Sequence, residues 1–405
     1  MPSGELNDAA LAAIKEKIGQ DTIEQNFNIS SQDFQILATI RYDPHFTHVF
    51  EPDGNDSVEY DHCLSQLDPQ LTSLMDSSSF LQSDDSGSLG NGLLDYLDSS
   101  SVNSSPISEG FEFNASSAIQ RDPVFQSLYG TNYSHTQQGE ATVDDVDIWS
   151  IYYDRFFLLG EHYKRLKLAL AFFQWKLALT PRMLLTQLIH SLPIQESLSI
   201  EDKMKALLSA STPYKMRVLV NKDGTMKIEA HELPQFLTTC PSTHEYLVQN
   251  LLSGYLDHAP TWDVYINPEP IVVSPFTTFK TTKRDHYNKA RENMEVLKLS
   301  VQDPRPKSEV LVYNDLYQLM EGSITNVAVK SKPTENSNAF RYTTPYLSSG
   351  CLCGVTRYFL LRKGLLQEDS IDVRDLSVGD EILLFNGIIG CVKGVIRNSV
   401  DFSNT

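Results

Sequence analysis

Apolar residues recur at three- and four-residue spacing across residues 156–175. Leu159, Leu166, Ala169, Leu170 and Phe173 fall on one side, and Glu161, Lys164 and Lys167 on the other, which predicts an amphipathic helix. The same spacing predicts helices over 184–192 and 200–208. The runs 216–220 and 225–229 flank Asn221-Lys222-Asp223-Gly224, a pattern that predicts a hairpin. Upstream, the apolar stretch 34–40 reads as a strand entering a turn at Arg41-Tyr42-Asp43-Pro44. From about Pro268 short strands become denser, over 309–313, 318–320, 325–329, 381–385 and 388–395, with a turn at Asn314-Asp315 and helices over 283–299 and 356–363. Helices and strands in both orders predict an α+β or mixed α/β fold.

The stretch after Pro44 is different material. Serine runs at 77–79 and 99–101 bracket Asp84-Asp85-Ser86-Gly87. Too little apolar surface is present there to offset the entropy of ordering the chain, so a disordered acidic insertion is expected over 51–145. Islands such as Gly92-Leu93-Leu94-Asp95-Tyr96-Leu97 read either as docking motifs or, more simply, as parts of a tolerated loop. With 405 residues, the chain has room for two domains and such an insertion. The expected division is a tail over 1–30, a small domain over 31–268 interrupted by 51–145, and a larger domain over 269–402.

Charge sharpens this picture. The net charge is −19, yet residues 51–145 hold 17 acidic residues and one basic residue, Arg121, leaving −3 for the rest. The acidity belongs to one segment, and no basic stripe with interleaved aromatics suggests nucleic acid. No apolar run is long enough to cross a bilayer, and the start of the chain lacks the features of a targeting peptide. Five scattered cysteines fit free thiols and a cytoplasmic setting. Cys351 and Cys353 have no second Cys or His pair beside them, so no metal site is expected.

Four places could carry chemistry, and each has an ordinary reading beside it. Gly354-Val355-Thr356-Arg357 opens a short helix that closes at Arg362-Lys363-Gly364. Its free backbone N–H groups suit a phosphate, although an ordinary cap has the same look. Lys280 sits in Phe276-Thr277-Thr278-Phe279-Lys280-Thr281-Thr282, expected to be extended. A lysine there is either an edge-strand surface residue or a buried amine of lowered pKa, the state a Schiff-base lysine needs. Glu321 stands at a strand end in Glu321-Gly322-Ser323-Ile324-Thr325-Asn326, where a carboxylate can hold a proton on a cofactor ring nitrogen or simply be solvated. Arg165, in His162-Tyr163-Lys164-Arg165-Leu166, is a phosphate ligand or part of a solvated helix face.

Taken in order, His-x-x-Arg-Leu, Phe-x-x-Phe-Lys, Glu-Gly-Ser-x-Thr-Asn and Cys-x-Cys-Gly-x-x-Arg resemble the fold-type IV pyridoxal-phosphate enzymes, which include branched-chain and D-amino-acid aminotransferases. The passages 36–44, 214–220, 279–287, 319–329 and 384–387 resemble most closely the fungal-type aminodeoxychorismate lyases. The resemblance covers the first strand and everything from about Val146 onward. It implies a two-domain D-amino-acid-aminotransferase-like fold with pyridoxal 5'-phosphate as cofactor. It also implies conversion of 4-amino-4-deoxychorismate to p-aminobenzoate and pyruvate for folate synthesis, with aminotransfer as the alternative. Carried over by position, Lys280 is the cofactor lysine and catalytic base, and Glu321 is the partner of the pyridine nitrogen. Arg165, Val355 and Thr356 hold the phosphate, while Thr39, Arg41, Arg284 and Asn386 line the substrate side. Branched-chain aminotransferases have a tyrosine five residues after the lysine, and here that residue is Asp285. A homodimer is the usual state of the family. The insertion after Pro44 departs from its pattern.

Overall fold

The computed structural model describes residues 24–46, 148–194, 199–234, 237, 246, 250–256, 259–330 and 341–402. The acidic segment 51–145 and most of the 1–30 tail lie outside the described residues.

A three-stranded antiparallel sheet is built from β1 (Ile36–Tyr42), β2 (Tyr214–Val220) and β3 (Met226–Glu232). Alternation gives it two different faces. Ile36, Ala38, Ile40, Tyr42, Met216, Val218 and Val220 enter a core shared with the helices Leu159–Phe172 and Pro181–Ser191. Thr39, Arg41, Lys215, Arg217 and Glu229 fall on the opposite face by the register of the strands. The turn at Asn221–Thr225 closes the hairpin with Gly224 at φ +85°.

The second sheet has eight strands in the order β6-β5-β4-β11-β10-β7-β8-β9. They are β4 (Thr261–Ile266), β5 (Ser308–Tyr313), β6 (Leu319–Gly322), β7 (Asn326–Lys330), β8 (Tyr342–Pro345), β9 (Gln367–Asp369), β10 (Glu381–Asn386) and β11 (Gly390–Ile396). Parallel pairs (β4 with β5 and β11, β8 with β9) mix with antiparallel ones. β6 and β7 stand five places apart in the order, about 24 Å if the sheet were flat. Only Ser323, Ile324 and Thr325 join them, a link that spans at most about 15 Å. The sheet therefore curls, and the curl brings the end of β6 against the start of β7.

The segment around Lys280 is not the uniform extended run that its composition predicts. Ser274 caps a short helix, Pro275–Thr278, through a capping box with Thr277, and Pro275 occupies its first position. The chain turns extended at Phe279, and Phe276 and Phe279 join the core of the first sheet. Among the described residues no helix is long and apolar enough to cross a membrane.

Candidate active site

Lys280 is placed by main-chain bonds to β1. Ile36 and Thr281 form an antiparallel bridge, the Leu37 N–H donates to the Lys280 carbonyl at 2.9 Å, and the Thr282 N–H donates to the Gln35 carbonyl at 2.9 Å. Facing residues of an antiparallel pair project to the same side. Thr281 thus goes to the apolar side with Ile36, and Lys280 leaves on the side of Leu37, Thr39 and Arg217. As a residue it is partly accessible, and surrounding protein strips water from the amine. That desolvation, reinforced by the positive charges of Arg165 and Arg284 and partly offset by Glu321, lowers its pKa to about 7. An amine in that range is neutral often enough at pH 7 to act as nucleophile or base.

Glu321, at the end of β6, is buried. Its Oε1 accepts from the Tyr287 hydroxyl at 2.5 Å and the Leu352 N–H at 3.2 Å, and its Oε2 accepts from Asn326 Nδ2 at 3.2 Å. Burial raises its pKa to about 7 against the lowering effect of these donors and of Lys280 and Arg284. Tyr287 is pushed the same way by burial and by Glu321, so it stays a protonated donor. Asn326 also donates to the Leu352 carbonyl at 2.9 Å. Gly354 is fixed by the same side chain, because a Cβ there would lie 1.8 Å from Asn326 Oδ1. The curl of the sheet makes these contacts possible.

At the other end of the site, Gly354 caps the helix Val355–Arg362, whose first N–H groups have no acceptor within the helix. Arg165 lies against it, with Nη1 3.5 Å from the Cys353 carbonyl and Nη2 3.2 Å from His162 Nδ1. Arginine can only donate, so His162 Nδ1 accepts and the imidazole proton sits on Nε2. His162 is buried, and desolvation together with Arg165 and Lys280 holds its pKa well below 6.5, keeping it neutral. Desolvation brings Arg165 down to about 10, still cationic at neutral pH. His162 Nε2, Arg165 Nε and Thr356 Oγ1 are all buried with no hydrogen-bond partner. A Cβ on Gly387 would stand 3.6 Å from Val355 Cγ2, 3.7 Å from His162 Nε2 and 3.9 Å from Thr356 Oγ1. Gly387 thus stands beside two of the unpartnered polar atoms, His162 Nε2 and Thr356 Oγ1.

The four residues expected on the substrate side divide. Thr39 is half-buried on the Lys280 face of β1. Arg284 is half-buried and acts electrostatically on Lys280, while its Nη2 donates to the Ser323 carbonyl and its guanidinium lies 4.7 Å from the Tyr287 ring centre. Asn386 ties two segments together: its Nδ2 donates to the Ile324 carbonyl at 3.0 Å, and its Oδ1 accepts from the Ile388 and Ile389 N–H groups at 2.9 and 3.0 Å. Arg41 lies on the same face of β1 as Thr39. It is 0% exposed, paired with Asp43 at 2.8 Å, and gives further bonds to the Leu237 and Ile388 carbonyls. These bonds tie the end of β1 to the segments around Leu237 and Ile388. Arg217, directly across from Thr39 on the same face and paired with Glu229 at 3.1 Å, is a cation that reading the sequence as a hairpin passed over. The alternation Lys215-Met216-Arg217-Val218 carried that signal.

The family described as amino-transferase class IV matches residues 146–395. The chain belongs to this family. Class IV enzymes are pyridoxal-phosphate enzymes of fold-type IV, and the donor set here fits that cofactor. A desolvated amine, a buried carboxyl with three donors and a group of unpartnered polar atoms at a helix start match its aldehyde, ring nitrogen and phosphate. Among class IV relatives, the aminodeoxychorismate lyase of Saccharomyces cerevisiae is 40% identical over 264 residues, which make up 62% of this chain and 70% of that protein. Among solved structures, a Mesorhizobium loti protein inferred to be an amino-acid aminotransferase is 21% identical, with a TM-score of 0.41, covering 60% of this chain and 92% of that one. The branched-chain amino acid aminotransferase of Escherichia coli is 12% identical, with a TM-score of 0.39, covering 61% and 72%.

Proposed function

We propose that this chain is an aminodeoxychorismate lyase, converting 4-amino-4-deoxychorismate to p-aminobenzoate and pyruvate. One observation carries the reading: the desolvated Lys280 amine and the buried Glu321 carboxyl bracket one site in a chain 40% identical over 264 residues to a lyase of that name.

Bound pyridoxal phosphate supplies an electron-withdrawing ring that takes up the negative charge formed beside the substrate amine. Lys280 is the attachment point for the cofactor and, once freed by the substrate amine, the base that removes the proton from the ring carbon bearing that nitrogen. Glu321, held by Tyr287, Leu352 and Asn326, keeps a proton on the ring nitrogen. Arg165, Thr356 and the Val355 and Thr356 N–H groups hold the phosphate. Arg284, Arg217 and Thr39 face the substrate, whose two carboxylates call for cations. Lys280, then an ammonium, returns a proton to the departing enol fragment, and aromatisation of the ring drives that departure. A cytoplasmic setting belongs to the same reading, with either a homodimer or a monomer as its assembly.

The competing activity is aminotransfer. Asp285 is exposed and paired with Lys283 at 2.8 Å, so the residue replacing the aminotransferase tyrosine faces away from the site. The test is to mix cofactor-loaded protein with enzymatically made aminodeoxychorismate and follow p-aminobenzoate and pyruvate together. Equal amounts of both, lost in Lys280→Ala, are expected. Cofactor-loaded protein that gives neither product but exchanges an amine with a keto acid would overturn the lyase in favour of the aminotransferase.

A further inference from the structure

A second carboxylate is buried next to Glu321. Glu309 is the second residue of β5, is 0% exposed, and precedes four fully buried apolar residues, Val310 to Tyr313. Its Oε1 accepts from the Ser323 N–H at 3.0 Å, the Ser323 hydroxyl at 2.6 Å and the Val310 N–H at 2.9 Å. Its Oε2 accepts from the Ile324 N–H at 3.1 Å and the Thr325 hydroxyl at 2.9 Å. Arg291 Nη1 stands 3.9 Å from Oε1 and donates to Ser323 Oγ at 3.0 Å. The three consecutive residues that join β6 to β7 therefore wrap around one carboxylate. Gly322 makes the approach possible, since a Cβ there would lie 2.4 Å from Thr325 Oγ1 and 2.8 Å from Glu309 Cδ.

The outer side of that connection faces the Lys280 site. The Ser323 carbonyl accepts from Arg284, and the Ile324 carbonyl accepts from Asn386. Glu321 lies just before the connection, and Asn326, which donates to Glu321, lies just after it. The parts that frame Lys280 on this side thus share one anchor.

We propose that Glu309 is a positioning residue for the Lys280 site: its carboxylate fixes the Ser323–Thr325 connection and, through it, the placement of Arg284 and Glu321 around the lysine. The proposal rests on the reading of Lys280 and Glu321 as the cofactor pair. It requires a carboxylate and not merely a polar group. The carboxylate takes five donors, of which the Ser323 N–H is shared with the Val310 carbonyl at 3.0 Å, and an amide offers one oxygen and a nitrogen that only donates. In Glu309→Gln, whichever way the amide turns, its NH2 group meets an N–H of the connection or of Val310.

The experiment compares wild type, Glu309→Gln and Thr325→Val by two readouts. In cofactor-free protein, Lys280 is acylated with acetic anhydride across a pH series and its labelling midpoint is read by mass spectrometry. The dissociation constant for pyridoxal phosphate is then measured from its absorption. Glu309→Gln is expected to raise the labelling midpoint, because Arg284 loses its placement, and to weaken cofactor binding about tenfold. Thr325→Val removes one of the five bonds and is expected to move both readouts the same way by less. A Glu309→Gln protein that melts earlier but keeps the wild-type midpoint and affinity would make the residue purely structural and overturn the proposal. If Glu309→Gln does not fold, wild-type values for both readouts in Thr325→Val overturn it equally. Neither readout uses aminodeoxychorismate. Wild type that binds cofactor but releases no p-aminobenzoate therefore sinks the lyase reading alone. Wild type that binds no cofactor sinks that reading and, with it, this proposal.

Discussion

The two ends of the Lys280 site are built on opposite principles. At the Glu321 end, both carboxylate oxygens already have donors from Tyr287, Leu352 and Asn326. At the helix-start end, Thr356 Oγ1, Arg165 Nε and His162 Nε2 are buried without partners. A buried polar group left unpaired costs about 1–3 kcal/mol, so the second end stores a cost that an anion can remove, whereas the first has nothing left to gain there beyond a cation for its carboxyl. The lesson is a division of labour. On the proposed function, grip on the cofactor would come from the unsatisfied end, and orientation and electronic control from the satisfied one.

The largest expected effect lies between them. Lys280→Ala removes both the attachment point and the base, and turnover should fall by about four orders of magnitude or more. The covalent cofactor band should vanish while weak binding persists through the helix-start end. Multiple turnovers retained in this variant, measured by p-aminobenzoate release, would remove Lys280 from the chemistry.

Glu321→Gln comes next, and kcat should fall about 10²–10³-fold with cofactor affinity changed much less. The same variant has a signature without cofactor. The folded carboxyl titrates at about 7 instead of 4.5, so between those values it keeps a proton that the unfolded chain has released. The stability of cofactor-free protein should therefore fall as pH rises across that window, and Glu321→Gln should flatten the slope. Lys280 acts in a separate window. Its pKa is lowered from 10.5 to about 7, so the unfolded chain binds the extra proton there and stability rises with pH. Denaturant titrations at a series of pH values test both slopes. Arg165→Ala should do the reverse of Glu321→Gln: cofactor affinity weaker by about 10–100-fold, with kcat at saturating cofactor within a few-fold. A variant that kept affinity and lost kcat would invert the division of labour.

Sequence periodicity placed most elements because their burial is local. The hairpin expected over 216–220 and 225–229 is β2–β3, and the helices expected over 184–192 and 200–208 run Pro181–Ser191 and Ile200–Leu207, so element type and place hold while the ends shift by up to three residues. The helix expected over 156–175 is shorter, Leu159–Phe172, because Leu158 adopts a positive φ of 52° and breaks the run. Strand β4 went unread because Asp263 interrupts it, and that charge is tolerated in the core only through Arg305 at 2.6 Å and Arg397 at 3.4 Å, both distant in sequence. The capping box at Ser274 was written in Ser-Pro-Phe-Thr but was overlooked beside the apolar Phe276-Phe279 pattern. Asn326 reaches Glu321 because the sheet curls, and Tyr287 reaches it from the helix Asp285–Lys298 packed on β5 and β6, both arrangements that no local window contains. Glu309 did leave a trace, a lone carboxylate near the head of an apolar strand. Apart from the adjacent Val310 N–H, its hydrogen-bond donors lie 14 to 16 residues away.

The smallest effects give the sharpest test, because they separate the two ends without touching the reacting groups. Thr356 Oγ1 has no partner in the cofactor-free fold, so Thr356→Val sacrifices no hydrogen bond there. Its melting temperature should stay near that of wild type, while pyridoxal-phosphate affinity drops a few-fold, about 1 kcal/mol. Asn326 is 7% exposed and already holds both Glu321 and the Leu352 carbonyl. Asn326→Ala should therefore destabilise cofactor-free protein by about 1–3 kcal/mol before any ligand is added. Calorimetry of both variants with and without cofactor reads the contrast directly. If Thr356→Val lowered the cofactor-free melting temperature as much as Asn326→Ala, its hydroxyl would have a partner in solution, and the two ends would not differ in kind.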